Sequence, residues 1–142
     1  MRILGLDIGS KRIGMAVSDE LGFTAQGLET LDSRDQGTDA LNITKIVKEY
    51  GVTEIVVGMP YNMNGTEGPQ VKKVRDFMER LSQEVDIPLR EWDERLSTAA
   101  AERTLLEADL SRAKRRKVID KLAAVLILQG YLDNRSRGFG GE

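Results

Sequence analysis

Three stretches of this 142-residue chain put carboxylates where a carboxylate is costly or conspicuous. In LDIGS, Asp7 closes an apolar run that reads as a buried strand, and Gly9 follows two residues later. A charge taken out of water without a partner costs several kcal/mol or changes its protonation state, so something must answer Asp7. Gly9, having no side chain, would let a phosphate or metal ligand approach the backbone, although a turn aspartate receiving backbone N–H bonds uses the same two residue types. The second stretch is WDERLST, residues 92–98. Strand alternation puts Glu94 on the face of Trp92 and Asp93 on the other, and either acid could reach a site at the sheet's edge. An acid pair favoured by the dipole of a following helix is the plainer explanation. The third is Asp120, with Arg116 at i−4 and Lys117 at i−3, an ordinary helical ion pair by itself.

The chain has no histidine and no cysteine. That excludes disulfides, thiolate nucleophiles, zinc sites built on Cys or His, and every Ser-His or Cys-His relay. Chemistry is left to carboxylates, amines, hydroxyls, backbone amides and an oxygen-preferring metal, magnesium or manganese. The expectation is that Asp7, Glu94 and Asp120, distant in sequence, converge on one site. Facing carboxylates repel unless divalent cations sit between them, and a pair of such ions can activate water and hold the departing oxygen of a phosphodiester.

The formal charge is −2, yet residues 111–121, SRAKRRKVIDK, hold six Lys/Arg against one Asp. A solvated helix face explains many such runs. Here Lys114, Arg115, Arg116 and Lys117 crowd the N-terminal part of an expected helix, the end whose dipole disfavours positive charge, which suggests an external anion.

The elements that must position these residues follow from periodicity. Residues 2–8 and 12–18 read as a hairpin around Gly9-Ser10-Lys11, and a third strand is expected from Phe23 to Thr30. Leu41, Ile43, Ile46, Val47 and Tyr50 fit one helical face ending at Gly51. TEIVVGMP reads as a buried strand, and YNMNGTEGP as a turn-rich loop before a helix with Val71, Val74, Phe77, Met78 and Leu81 inward. IPLREWD suggests a fifth strand, Ser97 an N-cap for TAAAERTLLEA, and a long last helix is expected over Lys114–Leu132. The order β-β-β-α-β-α-β-α predicts an α/β fold: a five-stranded mixed sheet, helices on both faces, the first strand central and Asp7 half-buried at its end. One domain is expected over residues 1–133, with a frayed tail over 134–142. No apolar run reaches a membrane span, and the N-terminus lacks the zones of a signal peptide, which points to the cytoplasm.

In order along the chain, LDIGSKRIGMAVSD, VVGMPYNMNGTEGP, DERLST and KVIDKLAAVLILQGYL together resemble the YqgF family, the RuvX-type Holliday junction resolvases of the RNase H-like superfamily. The resemblance covers nearly the whole chain. It implies an RNase H-like fold and a nuclease dependent on Mg2+ or Mn2+, with two ions. Its substrate would be the 5′ end of pre-16S rRNA, in ribosome biogenesis and on precursor particles, or branched DNA as a Holliday junction resolvase. Carried over, the acidic positions are Asp7, Glu94 and Asp120; Asp93 stands beside Glu94, and alternation alone must choose between them. Substrate contacts are expected from Ser10, Lys11, Asn62, Asn64, Thr66, Arg95, Arg112, Lys114, Arg115, Arg116 and Lys117, with turn formation as the competing role for the asparagine loop. A monomer suffices to trim an RNA end, whereas symmetric junction cleavage needs a homodimer. An actin-like or sugar-kinase ATPase, whose phosphate hairpin also reads Asp-x-Gly-Ser, would need two domains of this kind. A catalytically silent nucleic-acid-binding module would have no need of three acids.

Overall fold

The computed structural model describes residues 1–96 and 112–138, with side chains described for 1–96 and 121–135. The chain enters as a hairpin of β1 (Arg2–Ile8) and β2 (Arg12–Ser18), followed by two short strands, β3 (Ala25–Gly27) and β4 (Leu31–Asp32). Then come α1 (Gln36–Tyr50), β5 (Val52–Met59), α2 (Pro69–Ser82), β6 (Leu89–Asp93), a 3-10 turn over Glu94–Leu96, and α3 (Arg112–Gly138). The strand order is β3-β2-β1-β5-β6, with β4 also paired to β2. β1 is central as expected: antiparallel to β2, with Asp7 opposite Gly14, and parallel to β5, which is parallel to β6.

Alternation along β1 sorts its side chains into two cores. Leu4 and Leu6 join Ile13, Met15, Ile55, Val57 and Met59 beneath α1 and α2, where Ile43, Val71, Val74, Phe77 and Leu81 close the layer. Ile3 faces the opposite way with Ala16, Val56 and Trp92, against Ala124, Ile127, Leu128 and Leu132 of α3. Helices therefore cover both faces, and a strand buried on both faces reads as a continuous apolar run. Gly5 is what lets α3 come this close: a Cβ there would lie 2.8 Å from that of Leu128.

Local signals explain most boundaries. Asp35 caps α1 by accepting from the Thr38 amide, 2.8 Å, and Gly51 ends it in the left-handed region at φ 63°. Pro69 starts α2 where its missing N–H costs nothing.

Five expectations need correcting. The single third strand is two short strands, because Phe23 and Thr24 donate their amides to Asp19 in a turn and pairing with β2 lapses after Leu28, whose amide still donates to the Met15 carbonyl, until Leu31. Leu41 is exposed and Asp39 is buried instead, its oxygens accepting from the Ser33 hydroxyl and the Arg34 amide. α3 runs on to Gly138, beyond the expected end at Leu132, and Arg135 reaches Glu54 at 3.4 Å. Asp7 is buried, at 8% exposure, rather than half-buried. Gly9 serves its own turn: its amide donates to the Arg12 carbonyl at 2.9 Å, and a Cβ would lie 2.7 Å from that oxygen. The expected Ser97 cap and the helix TAAAERTLLEA lie outside the described residues, as do residues 139–142. Among the described residues no helix is long and apolar enough to cross a membrane.

Candidate active site at one edge of the sheet

Because β1, β5 and β6 are parallel, their C-terminal ends lie on one edge of the sheet. Asp7 is the penultimate residue of β1 and shares the α3-facing side with Ile3 and Gly5, four and two residues back. On the neighbouring strand Gly58, paired with Trp92 of β6, occupies the matching level. The space a side chain would take there is filled: a Cβ on residue 58 would sit 3.2 Å from Glu94 Cγ and 2.4 Å from Ile127 Cδ1. Glu94 is thereby located. It leaves the end of β6 on the first residue of the 3-10 turn, buried at 8% exposure, on the same side of the sheet as Asp7. Both acids have further polar partners, so neither is a bare charge in the interior.

Asp93 does something else. Its Oδ1 accepts from the Arg95 amide at 2.9 Å and its Oδ2 from Arg95 Nη2 at 2.7 Å, and the hydrogen bonds from Arg95 hold its carboxyl below the usual range. The alternation that put Glu94 with Trp92 and Asp93 opposite thus describes the geometry.

Residue 120 enters through the backbone of α3, seven positions before Ile127, about two helical turns. The side chain of Asp120 lies outside the described residues, as do those of Arg112, Lys114, Arg115, Arg116 and Lys117. Among the described residues no group of three or more acids gathers as a metal cluster. The two carboxylates, Asp7 and Glu94, are oxygen donors of the kind magnesium and manganese take, and the chain has no thiolate or imidazole to offer instead. The donor set fits such an ion.

The asparagine loop is built by its own side chains. Asn62 Nδ2 donates to Thr66 Oγ1 at 2.9 Å, Thr66 Oγ1 donates to Asn64 Oδ1 at 2.6 Å, and Gly65 takes φ 86°. Turn formation therefore occupies all three residues expected to touch substrate. Arg95, expected to contact phosphate, donates to Asp93 and to the Met63 carbonyl at 3.4 Å. Ser10 and Lys11 stand exposed at the tip of the β1–β2 hairpin. The cleft of about 250 Å³ beside Ser10 runs between Gln36, Asp39, Gln70 and Lys73, on the α1/α2 side rather than the Asp7 side.

Two residues at this edge had no signal in the sequence. Tyr61 lies between Arg75 and Arg95, whose guanidinium carbons are 6.0 and 5.8 Å from its ring centre. Arg75 donates to the Tyr61 hydroxyl at 2.8 Å and pairs with Glu67 at 2.7 Å and Glu91 at 3.0 Å. Gly58 did have a signal: it interrupts the β-branched run of β5.

Comparison with known proteins adds relatives to this geometry. A protein of Symbiobacterium thermophilum named "Putative pre-16S rRNA nuclease" is 60% identical over 136 residues, 96% of this chain and 94% of its own length. Proteins of the same name from Desulforamulus reducens and Clostridium botulinum are 55% identical over 137 residues, 96% of this chain and all of theirs. Among solved structures, Thermus thermophilus RuvC in complex with Holliday junction substrate superposes with TM-score 0.61 at 17% identity, covering 96% of both chains. The fowlpox virus Holliday junction resolvase does so with TM-score 0.54 at 14% identity, covering 94% of this chain and 99% of that one. At such identities the likeness is one of fold, and the fold is the RNase H-like one of RuvC. A family model described as RuvX, Holliday junction resolvase, matches residues 1–134, and the chain belongs to that family.

Proposed function

We propose that the chain is a metal-dependent nuclease that trims the 5′ end of pre-16S rRNA during ribosome biogenesis in the cytoplasm. The observation that carries the reading is the placement of Asp7 and Glu94, both buried, on one face and one edge of the sheet on either side of Gly58. Burying two carboxylates at the same end of one face of the sheet is unfavourable for a scaffold alone, and it suits a site that holds cations. Membership of a resolvase family and the name shared by relatives 55–60% identical support the same activity.

Asp7 and Glu94, with Asp120 as the third donor, would hold Mg2+ or Mn2+, two ions in this reading. When bound, the ions supply the positive charge that lowers the pKa of an attacking water and offsets the charge gathering on the phosphate. The protein's own part is positional. Asp7 sits on the central strand, held by neighbours on both sides, and Glu94 packs over Gly58 in the space it shares with Ile127, so neither carboxylate must reorganise far as charge develops. Arg112, Lys114, Arg115, Arg116 and Lys117 would bind the nucleic-acid backbone, with Ser10 and Lys11 contributing from the hairpin tip. Since the net charge is −2, this local field makes binding modest and steeply salt-dependent. A monomer is enough for end trimming.

The family description and the likeness in fold to a RuvC favour one second reading, cleavage of four-way DNA junctions, for which a homodimer would be needed. One experiment separates them: the purified chain is incubated with a 5′-extended pre-16S RNA fragment and with a four-way junction, each with Mn2+ and with EDTA. Mn2+-dependent cutting of the RNA is expected. Cutting of the junction alone would overturn the RNA assignment, and binding without cutting of either would leave a nucleic-acid-binding module.

A further inference from the structure

The two adjacent acids at the end of β6 point to different neighbours, and the one turned away from Asp7 is engaged at both oxygens. Asp93 Oδ1 accepts from the Arg95 amide at 2.9 Å and from Arg95 Nε at 3.2 Å; Oδ2 accepts from Nε at 3.1 Å and Nη2 at 2.7 Å. The first of these bonds closes a turn across residue 94 itself, from the side chain before it to the amide after it. It therefore fixes the backbone that carries the Glu94 carboxylate.

The guanidinium closing the other end is held in turn. Arg95 Nη1 donates to the Met63 carbonyl, its plane lies near the Tyr61 ring, and Gly65 approaches so closely that a Cβ there would be 3.2 Å from Nη1. Tyr61 is anchored by Arg75 of α2, which Glu67 and Glu91 pair from either side. Contacts thus run unbroken from α2 through Tyr61 and Arg95 to Asp93, and end at the turn bearing Glu94. Each exposed ion pair in such a chain is weak alone; linked, they leave the turn one arrangement.

The geometry points to Asp93 as a positioning residue: with Arg95, it holds the 3-10 turn so that the Glu94 side chain stays over Gly58 on the Asp7 side of the sheet. This rests on the reading of Glu94 as a metal-holding carboxylate. It gives the DER triplet of the sequence a division of labour, in which Glu94 faces the site and its two neighbours fix how it does so. Partners that orient a metal-holding group typically change metal affinity by about 10-fold or more when removed, and small displacements of reacting groups are costly in rate.

The test uses the full chain and Mn2+ alone as probe, read by calorimetric titration without nucleic acid, with cleavage and thermal melting measured beside it. Asp93→Ala is expected to weaken Mn2+ binding by about 10-fold and to raise the Mn2+ concentration that half-saturates cleavage, with folding intact. Asp93→Asn keeps at Oδ1 the acceptor for both the Arg95 amide and Arg95 Nε and is expected to stay within about threefold of the parent, as a positioning role requires. Mn2+ binding unchanged in Asp93→Ala, with Glu94→Gln impaired, would overturn the proposal. Asp93→Asn as impaired as Glu94→Gln would overturn it too, by making Asp93 a ligand itself. Should Asp93→Ala melt out, Arg95→Ala carries the same expectation, and parental Mn2+ affinity in it is the overturning result. Parental binding and cleavage in Glu94→Gln would sink the underlying nuclease-site reading, an outcome distinct from all of these.

Discussion

Gly58 and Glu94, on neighbouring strand ends, share one space: the glycine leaves a gap on the α3 side of the sheet, and the Glu94 methylenes lie in it with the tip of Ile127. The carboxylate is held at the edge of the core because the adjacent strand has no side chain at that level. A glycine within a strand weakens it, so its presence as the penultimate residue of β5 calls for a packing reason, and Glu94 with Ile127 supplies it.

Gly58→Ala is therefore expected to destabilise the protein by about 1–3 kcal/mol, since the new methyl must displace Ile127 and crowd Glu94. Mn2+ affinity should fall with it. Thermal melting and Mn2+ titration check the pair of effects; a loss of stability with parental Mn2+ affinity would separate Glu94 from its packing.

Asp7→Asn keeps the shape of the residue and removes its charge. Cleavage is expected to drop by about 100-fold or more while binding of nucleic acid stays within a few-fold, because holding the phosphate backbone falls to the basic residues. EDTA should reproduce the loss in the parent. Gel-shift and cleavage assays on one RNA fragment provide both readings.

At the far end of α3 the Tyr131 hydroxyl donates to the buried Glu54, which also accepts from Arg90 at 3.3 Å and Arg135 at 3.4 Å. Burial, and then this bond to Glu54, pushes the hydroxyl up from 10.0 to about 12. With the folded value above the unfolded one, the contribution of the protonated hydroxyl is complete below about pH 10 and is lost as pH rises through about 12. Urea midpoints across that alkaline window should fall more steeply in the parent than in Tyr131→Phe, which begins lower at neutral pH. Parallel slopes would contradict the assignment.

Gly51 closes α1 in the left-handed region, where a side chain is strained. Gly51→Ala should cost about 1–2 kcal/mol of stability and leave cleavage unchanged, since the cap lies at the start of β5, opposite the edge that carries Asp7. Chemical denaturation beside a cleavage assay tests both halves of that statement.

Much of this was legible from residue order because short-range physics governs it. The apolar run of β1 announced a central strand, Gly51 a helix end, and strand alternation the opposite turning of Asp93 and Glu94. The single third strand was misread, since Phe23 to Thr30 contains enough apolar residues for a strand while the Asp19 turn takes up its first two amides. Leu41 was misassigned to the core for a related reason. A helical stripe is read as an average over a face, and the face of α1 that meets the sheet is centred on Ala40, Ile43 and Val47.

What the sequence determined by itself was the menu of chemistry: without histidine or cysteine, any site must do without imidazole and thiolate and lean on carboxylates, amines, hydroxyls and backbone amides, whatever the fold. Only the tertiary structure decided that Asp7 and Glu94, 87 positions apart, come to one edge of one face, and that Gly9 serves a turn while Gly58 makes room for Glu94. It also decided that Arg95, though exposed, is matched by Asp93 and Tyr61 rather than left unpaired. Residue types are local properties, whereas a side chain's neighbours depend on which strands pair and in what register, and that is settled by burying both faces of the sheet at once.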